Sequence, residues 1–202
     1  MNKTQTLSFH RRNLPHWYVA NKTYFVTFCL KGAIPLTTLN ELRIELNVFI
    51  QTHPSEKELD DFHRQRFVKV EKFLDTAWQS PGFLTKQGIP ELVLSGFEWL
   101  ETNHGWVIPA VVVMPSHVHC LMRNTEGKSA LLGKHIGIMK GYVARQANQI
   151  LNRSGAFWLS EAFDRWCRNP EKYEAAIRYI KNNPVKAGLV RCPADWPWVK
   201  IT

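Results

Sequence analysis

The sequence predicts an α+β fold, a small antiparallel sheet with helices packed on one face. Three observations predict it. Short runs rich in β-branched and aromatic residues stand at 24–30 and 106–114, and a third apolar run follows the second after a single Pro-Ser turn. Segments with helical period fill the spaces before, between and after them, giving the order β-ααα-β-β-α-α. A length of 202 residues with 45% hydrophobic side chains is enough for one buried core and excludes a disordered chain.

The elements follow in order. YFVTFCL (24–30) reads as the first strand, bounded by Asn21-Lys22 and Lys31-Gly32. Residues 36–51 form a helix by the spacing of Leu39, Leu42, Leu46 and Phe49. Ser55-Glu56-Lys57-Glu58 fits a capping box, so a second helix starts there and continues to about Trp78. Ser80-Pro81-Gly82 breaks the chain, and a third helix runs over 89–103 to the stop at His104-Gly105. WVIPAVVVM (106–114) is apolar throughout and reads as a buried strand bulged at Pro109. Residues 117–123 form the next strand and 129–152 a long helix. Residues 156–168 read as irregular or short-helical. A last helix starts at Pro170 and runs to about Asn182, with Pro184 expected to stop it. No internal repeat or low-complexity segment appears.

The formal charge is +9, which points to a polyanion, nucleic acid first and an anionic membrane surface second. Its distribution is uneven. Residues 1–36 carry +5, residues 37–104 carry −4 and residues 105–202 carry +8. The expectation is a single domain over 1–202 with an acidic helical insertion at about 37–104 that points away from the polyanion. Cys29, Cys120, Cys167 and Cys192 are scattered without a C-x-x-C pair, which argues against a disulfide framework or structural zinc. The N-terminal residues have no apolar run of the signal-peptide type. The uncharged stretch 105–122 is short for a membrane span and holds Pro109, Pro115, His117 and His119. These features lead to an expectation of a cytoplasmic protein, without a membrane partner.

The chemistry concentrates in two places. In VVVMPSHVHCLM, His117 and His119 are two residues apart on a strand and project from the same face. Such a pair shares a divalent cation when a third ligand arrives from elsewhere. In PEKYEAAIRYIKNNPVKAGLV (170–190), Tyr173, Ala176, Ile177 and Ile180 form the apolar stripe of a helix, with Tyr179 at its edge and Asn183 one turn further on. Tyr142 is a rival phenol, with Gln146 four residues on, on a helix whose stripe is Leu132, Ile136, Met139, Val143, Ala147 and Ile150.

Together these segments resemble the REP-associated tyrosine transposases, within the single-tyrosine HUH transposase superfamily. The resemblance covers nearly the whole chain. RNLPHWYVANKTYFVTFCLKGAIPL is similar to the family's N-terminal strand and VVVMPSHVHCLM to its HUH motif. GIMKGYVARQAN is similar to the helix after that motif. GAFWLSEAFDRWCRNP, RYIKNNPVKAGLV and PADWPW are similar to its C-terminal block. Ser116, Leu159 and Val199 depart from it, standing where Asn, Gln and Ser are commoner.

The resemblance implies a ferredoxin/RRM-like sheet of the HUH endonuclease fold. It implies His117 and His119 as metal ligands, Asn183 as the third, and Tyr179 rather than Tyr142 as the nucleophile, with Mg²⁺ or Mn²⁺ as cofactor. The implied activity is cleavage and rejoining of single-stranded DNA through a 5′-phosphotyrosine, at a REP-type hairpin with an adjacent single-stranded tetranucleotide, in the bacterial nucleoid. An unperturbed phenol titrates near about 10 and is a weak nucleophile, so Arg178, Lys181 or the metal is expected to assist it. Arg11, Arg12, Arg145, Arg153, Arg165, Arg168, Lys181 and Lys186 are candidates for DNA phosphates, and Trp158, Phe163 and Trp166 for stacking on bases. Two other classes stay open: a nucleic-acid-binding module without catalysis and a metal-dependent hydrolase using water. Monomer and homodimer stay open as well.

Overall fold

The structure, a computed structural model, describes residues 6–11, 15–76, 82–160 and 162–202. Trp78, Ser80, Pro81 and Arg12 lie outside the described residues, as does the side chain of Arg11. A hairpin, β1 (Thr6–Arg11) and β2 (Pro15–Val19), comes first. It is followed by β3 (Thr23–Cys29), α1 (Leu36–Gln51), α2 (Glu56–Thr76), α3 (Ile89–His104), β4 (Trp106–Val113) and β5 (His117–Asn124). Then come α4 (Leu132–Ile150), β6 (Phe163–Trp166), α5 (Pro170–Lys186) and β7 (Val199–Ile201).

The second sheet has five strands in the order β6-β3-β5-β4-β7, every pairing antiparallel. Without β7 the order is that of a ferredoxin-like β-α-β-β-α-β unit: β3, α3, β4, β5, α4, β6. The expected α+β antiparallel architecture is therefore present. β4 and β5 are buried along almost their whole length, and their register shifts between Val107 and Ala110, where Pro109 deprives the ladder of a donor.

Strands buried on both faces need cover on both, and this refines the expectation of helices on one face. α3 and α4 cover one face, with Val93, Phe97, Leu100, Met139 and Val143 packed on Tyr24, Val26, Phe28, Val118 and Cys120. α5 covers the other, where Ala176 and Ile180 meet Phe25, Ala110, Val112, Met114 and Leu121. Trp196 joins this second cluster and its indole N–H donates to the Val113 carbonyl at 3.0 Å.

Segment 37–104 is not one insertion. α3 is the first crossover helix of the central unit, buried at Val93, Phe97 and Leu100. Of the three α-helices in this segment, α1 and α2 are additional to that unit. The capping box of α2 is formed: the Ser55 backbone N–H and hydroxyl both donate to Glu58 Oε2, at 2.8 and 2.6 Å.

Two further differences have local causes. β6 occupies part of a segment expected to be irregular, because pairing with β3, not its own four-residue pattern, makes it a strand. Pro184 does not stop α5, which continues to Lys186. Near a helix end the missing proline N–H forfeits one bond only. The stop is Gly188, at φ +70° in the left-handed region. Its N–H donates to the Val185 carbonyl and the Leu189 N–H to the Pro184 carbonyl, the two bonds of a Schellman motif.

Candidate active site

β5 places His117 and His119 on the face that α5 covers. His119 lies opposite Thr27 of β3 and Val112 of β4, in the middle of the sheet. Both imidazoles are buried, at 1% and 0% exposure, with ring centroids 4.5 Å apart. Each Nδ1 has a hydroxyl partner: Thr27 Oγ1 at 2.7 Å for His119 and Ser116 Oγ at 3.1 Å for His117. Neither Nε2 has a hydrogen-bond partner. Assigning Nδ1–H as donor to these hydroxyls leaves a lone pair on each Nε2. Ser116, a departure from the expected Asn, thus still holds the histidine beside it.

α5 brings Tyr179 over this pair. Its ring lies 5.4 Å from that of His119 and 5.8 Å from that of Phe25, both edge-on. The phenol oxygen is buried without a hydrogen-bond partner. Asn183, one turn on along the same side, is fully buried, and neither atom of its amide has a partner. His117, His119 and Tyr179 therefore meet, and Asn183 is buried one turn along α5 from Tyr179. Tyr142 does not join them. It is exposed on α4, in the opposite helical layer, beside Trp99, Ile138 and Met139.

α2 adds residues that sequence reasoning missed. Glu71 is 5% exposed, with Oε2 3.7 Å from His119 Nε2 and no hydrogen bond to either oxygen. Asp75, one turn on, pairs with Lys186 at 2.7 Å. Phe67 packs edge-on to Phe25 and Tyr179. The acidic segment is thus part of the site's wall, against the expectation that it stands apart. The available signal was the Glu71/Asp75 pair at helical spacing on a face otherwise apolar at Phe67, Val70 and Leu74. Thr27 was visible as a polar residue inside an apolar strand, but its partner was not.

Burial sets the electrostatics. Desolvation, with the charge of Lys186 second, pushes His117 down to about 3. Desolvation, then His117, Lys186 and Arg165, holds His119 well below its ordinary value. Both rings are therefore neutral at pH 7, the state that ligates metals. Glu71 is pushed up to about 8, by desolvation first and Asp75 second, against the pull of Lys186 and Arg165.

The donors fit a divalent cation. Buried nitrogen and oxygen atoms without partners are costly, and here they belong to two neutral imidazoles, an amide and a carboxyl. Among the described residues no three His, Cys, Asp or Glu side chains stand at ligand spacing as placed, so the amide of Asn183 or a rotation of Glu71 is needed to complete a set with the histidines.

The other expected contacts divide. Arg165 lies over the rings of Phe67 and Phe25, at 4.7 and 5.3 Å, and Arg168 over Trp166 at 5.0 Å. With Arg64, Lys172 and Tyr179 they line a groove of about 340 Å³ between α2, β6 and α5. Lys186 Nζ is 5.3 Å from the centre of the Tyr179 ring. It, rather than the exposed Arg178 or Lys181, is the cation beside the phenol. Arg145 lines the Trp99–Tyr142 pocket in the opposite helical layer. Arg153 stacks on Phe83 and Phe157. Trp158 is core, its indole N–H donating to the Lys140 carbonyl, and Phe163 and Trp166 are half-buried.

A REP-associated tyrosine transposase of Escherichia coli K12 is 32% identical over 91 residues, 45% of this chain and 52% of that protein. A solved REP-associated tyrosine transposase, bound to a REP hairpin, matches 96% of this chain and 82% of its own with a TM-score of 0.57. The chain resembles the REP-associated tyrosine transposases in sequence and in fold. The sequence match spans about half the length of the Escherichia coli transposase. At 19% identity, the likeness to the solved transposase is one of fold. No protein-family model matches the chain. No helix among the described residues is long and apolar enough to cross a membrane.

Proposed function

We propose that the chain is a metal-dependent transesterase that cleaves and rejoins single-stranded DNA beside REP-type hairpins. The observation that carries the reading is one buried cluster. Two neutral imidazoles with bare Nε2 atoms lie under a phenol whose ring is 5.4 Å from one of them. A binding module needs none of these groups. The fold shared with a transposase bound to a REP hairpin supports the choice of substrate.

His117, His119 and Asn183 would hold Mg²⁺ or Mn²⁺. When bound, the ion polarises the scissile phosphate and offsets charge in the transition state. Thr27 and Ser116 fix the two rings through Nδ1. Tyr179 Oη attacks phosphorus, an Oη–P bond forms and the P–O3′ bond breaks. The phenol proton is balanced by the proton gained on the released 3′-OH, and the 5′-phosphate stays on the tyrosine. The reverse attack by a 3′-OH rejoins DNA without ATP. The Lys186 ammonium offsets negative charge on the phenol as it reacts. Phe67 and Phe25 pack edge-on against the Tyr179 ring and hold it over His119.

Incubation with labelled hairpin DNA carrying a single-stranded flank, plus Mn²⁺, should give a protein–DNA species that survives a denaturing gel. Tyr179→Phe should remove it while hairpin binding stays within about twofold. An adduct surviving in Tyr179→Phe refutes the nucleophile. Cleavage without any adduct favours a hydrolase that uses water.

A further inference from the structure

α2 is additional to the central β-α-β-β-α-β unit, yet it reaches His119. Its Glu71 is at least nine-tenths buried and carries two oxygens without a hydrogen bond. A carboxylate alone would mark nothing. The independent observation is what it faces: His119 Nε2 at 3.7 Å, buried and itself without a hydrogen-bond partner. A carboxyl oxygen and an imidazole nitrogen this close, with no hydrogen bond between them, are a pair that a cation can join once the carboxyl gives up its proton. Asp75, the other acid on this side of α2, is already paired with Lys186. Glu71 feels Lys186 and Arg165 only at longer range.

We propose that Glu71, delivered by α2, is a fourth protein ligand of the divalent metal at this site. The inference rests on the metal reading above and deepens it. The first consequence is charge. Two imidazoles and an amide are neutral, so Glu71 is the one anionic protein ligand of the set. It shifts the site's preference toward hard, oxygen-loving ions such as Mg²⁺ and Mn²⁺. The second is geometry. Neighbouring donors about an octahedral Mg²⁺ stand about 3 Å apart, so Glu71 closes the 3.7 Å gap by side-chain rotation as the ion binds. The third is fold-level. Metal binding ties α2 to the sheet and to α5, closing the wall of the groove that ends at Tyr179.

Titration of the whole chain with Mn²⁺ alone, by calorimetry and by loss of the free-ion electron paramagnetic resonance signal, tests this without DNA or activity. The wild type should bind one ion, and His117→Ala/His119→Ala should abolish that binding. Glu71→Gln should weaken it at least fivefold. Asp75→Asn should leave it within twofold, since Asp75 contributes charge but no ligand. Thermal unfolding in EDTA checks that Glu71→Gln folds, and Glu71→Ala replaces it if it does not. A change below fivefold in Glu71→Gln, with binding still lost in the histidine variant, overturns the Glu71 assignment and leaves the histidine site standing. An equal loss in Asp75→Asn overturns it too, as an effect of charge in general. No binding by the wild type, or binding that survives in the histidine variant, overturns both readings.

Discussion

At the scale of single residues, burial makes ordinary groups behave unusually. Tyr24 is fully buried on β3. Its hydroxyl donates to the Val19 carbonyl at 2.8 Å and accepts from the Val19 N–H at 2.5 Å. Desolvation pushes its phenol up to about 12, against the partial relief of the bond to Val19. A folded pKa above the unfolded value of 10 means that the native state holds its proton more tightly. Stability is therefore fully present below pH 10 and is lost as the pH rises toward 12. A shift of that size corresponds to about 3 kcal/mol once both states are ionised. In urea titrations the gap between wild type and Tyr24→Phe should be about 1–3 kcal/mol at pH 8, from the unpaired Val19 N–H. It should shrink between pH 10 and 12. A gap that stays constant with pH refutes the account. Thr27 shows the same principle in a neutral pair: a hydroxyl that would be idle on an open strand pairs with His119 Nδ1 at 2.7 Å and orients the ring.

At the scale of elements, legibility in the sequence depended on whether a segment's structure is set by its own residues. α1, α3 and the box that starts α2 were readable because period and caps are local. The bulge near Pro109 was readable for the same reason. β6 and the β1–β2 hairpin were not, because short strands become strands through partners distant in the chain. His117, His119, Tyr179 and Asn183 were legible through spacing and resemblance. Glu71 and Thr27 were not, since nothing local says that α2 folds back over β5 or that β3 pairs with it in this register. The misread stop of α5 makes a prediction. Gly188 supplies the left-handed residue, and a Cβ there would meet nothing within 4 Å. The cost of Gly188→Ala is therefore backbone strain alone, about 1–2 kcal/mol. It should appear in urea unfolding as a lower midpoint at unchanged slope. Gly188→Asn should cost less, since Asn tolerates this region. Equal stability of Gly188→Ala and wild type would show that Pro184 ends the helix after all.

At the scale of the whole molecule, charge and architecture together give the proposed DNA strand one side of the sheet. The net charge of +9 does not act as a uniform coat. The sheet separates two helical layers, and the site's histidines, tyrosine and lining cations all lie on the α5 side. Arg64 and Lys172 are exposed at the groove that holds Tyr179, and Arg64 makes a 3.4 Å surface contact with Asp61. Such pairs contribute little to stability, so removing these two charges probes binding and not folding. Arg145 and Lys134 are exposed on α4, in the other layer. Each phosphate neutralised on a single strand contributes about 0.7 to the slope of log K against log salt. Arg64→Ala/Lys172→Ala should therefore lower that slope by about 1.4 for single-stranded DNA. Arg145→Ala/Lys134→Ala should leave it unchanged. Measuring affinity at several salt concentrations for the two double variants decides the matter. The reverse pattern would place the strand across α3 and α4, on the far side of the sheet from Tyr179, where the phenol could not reach it.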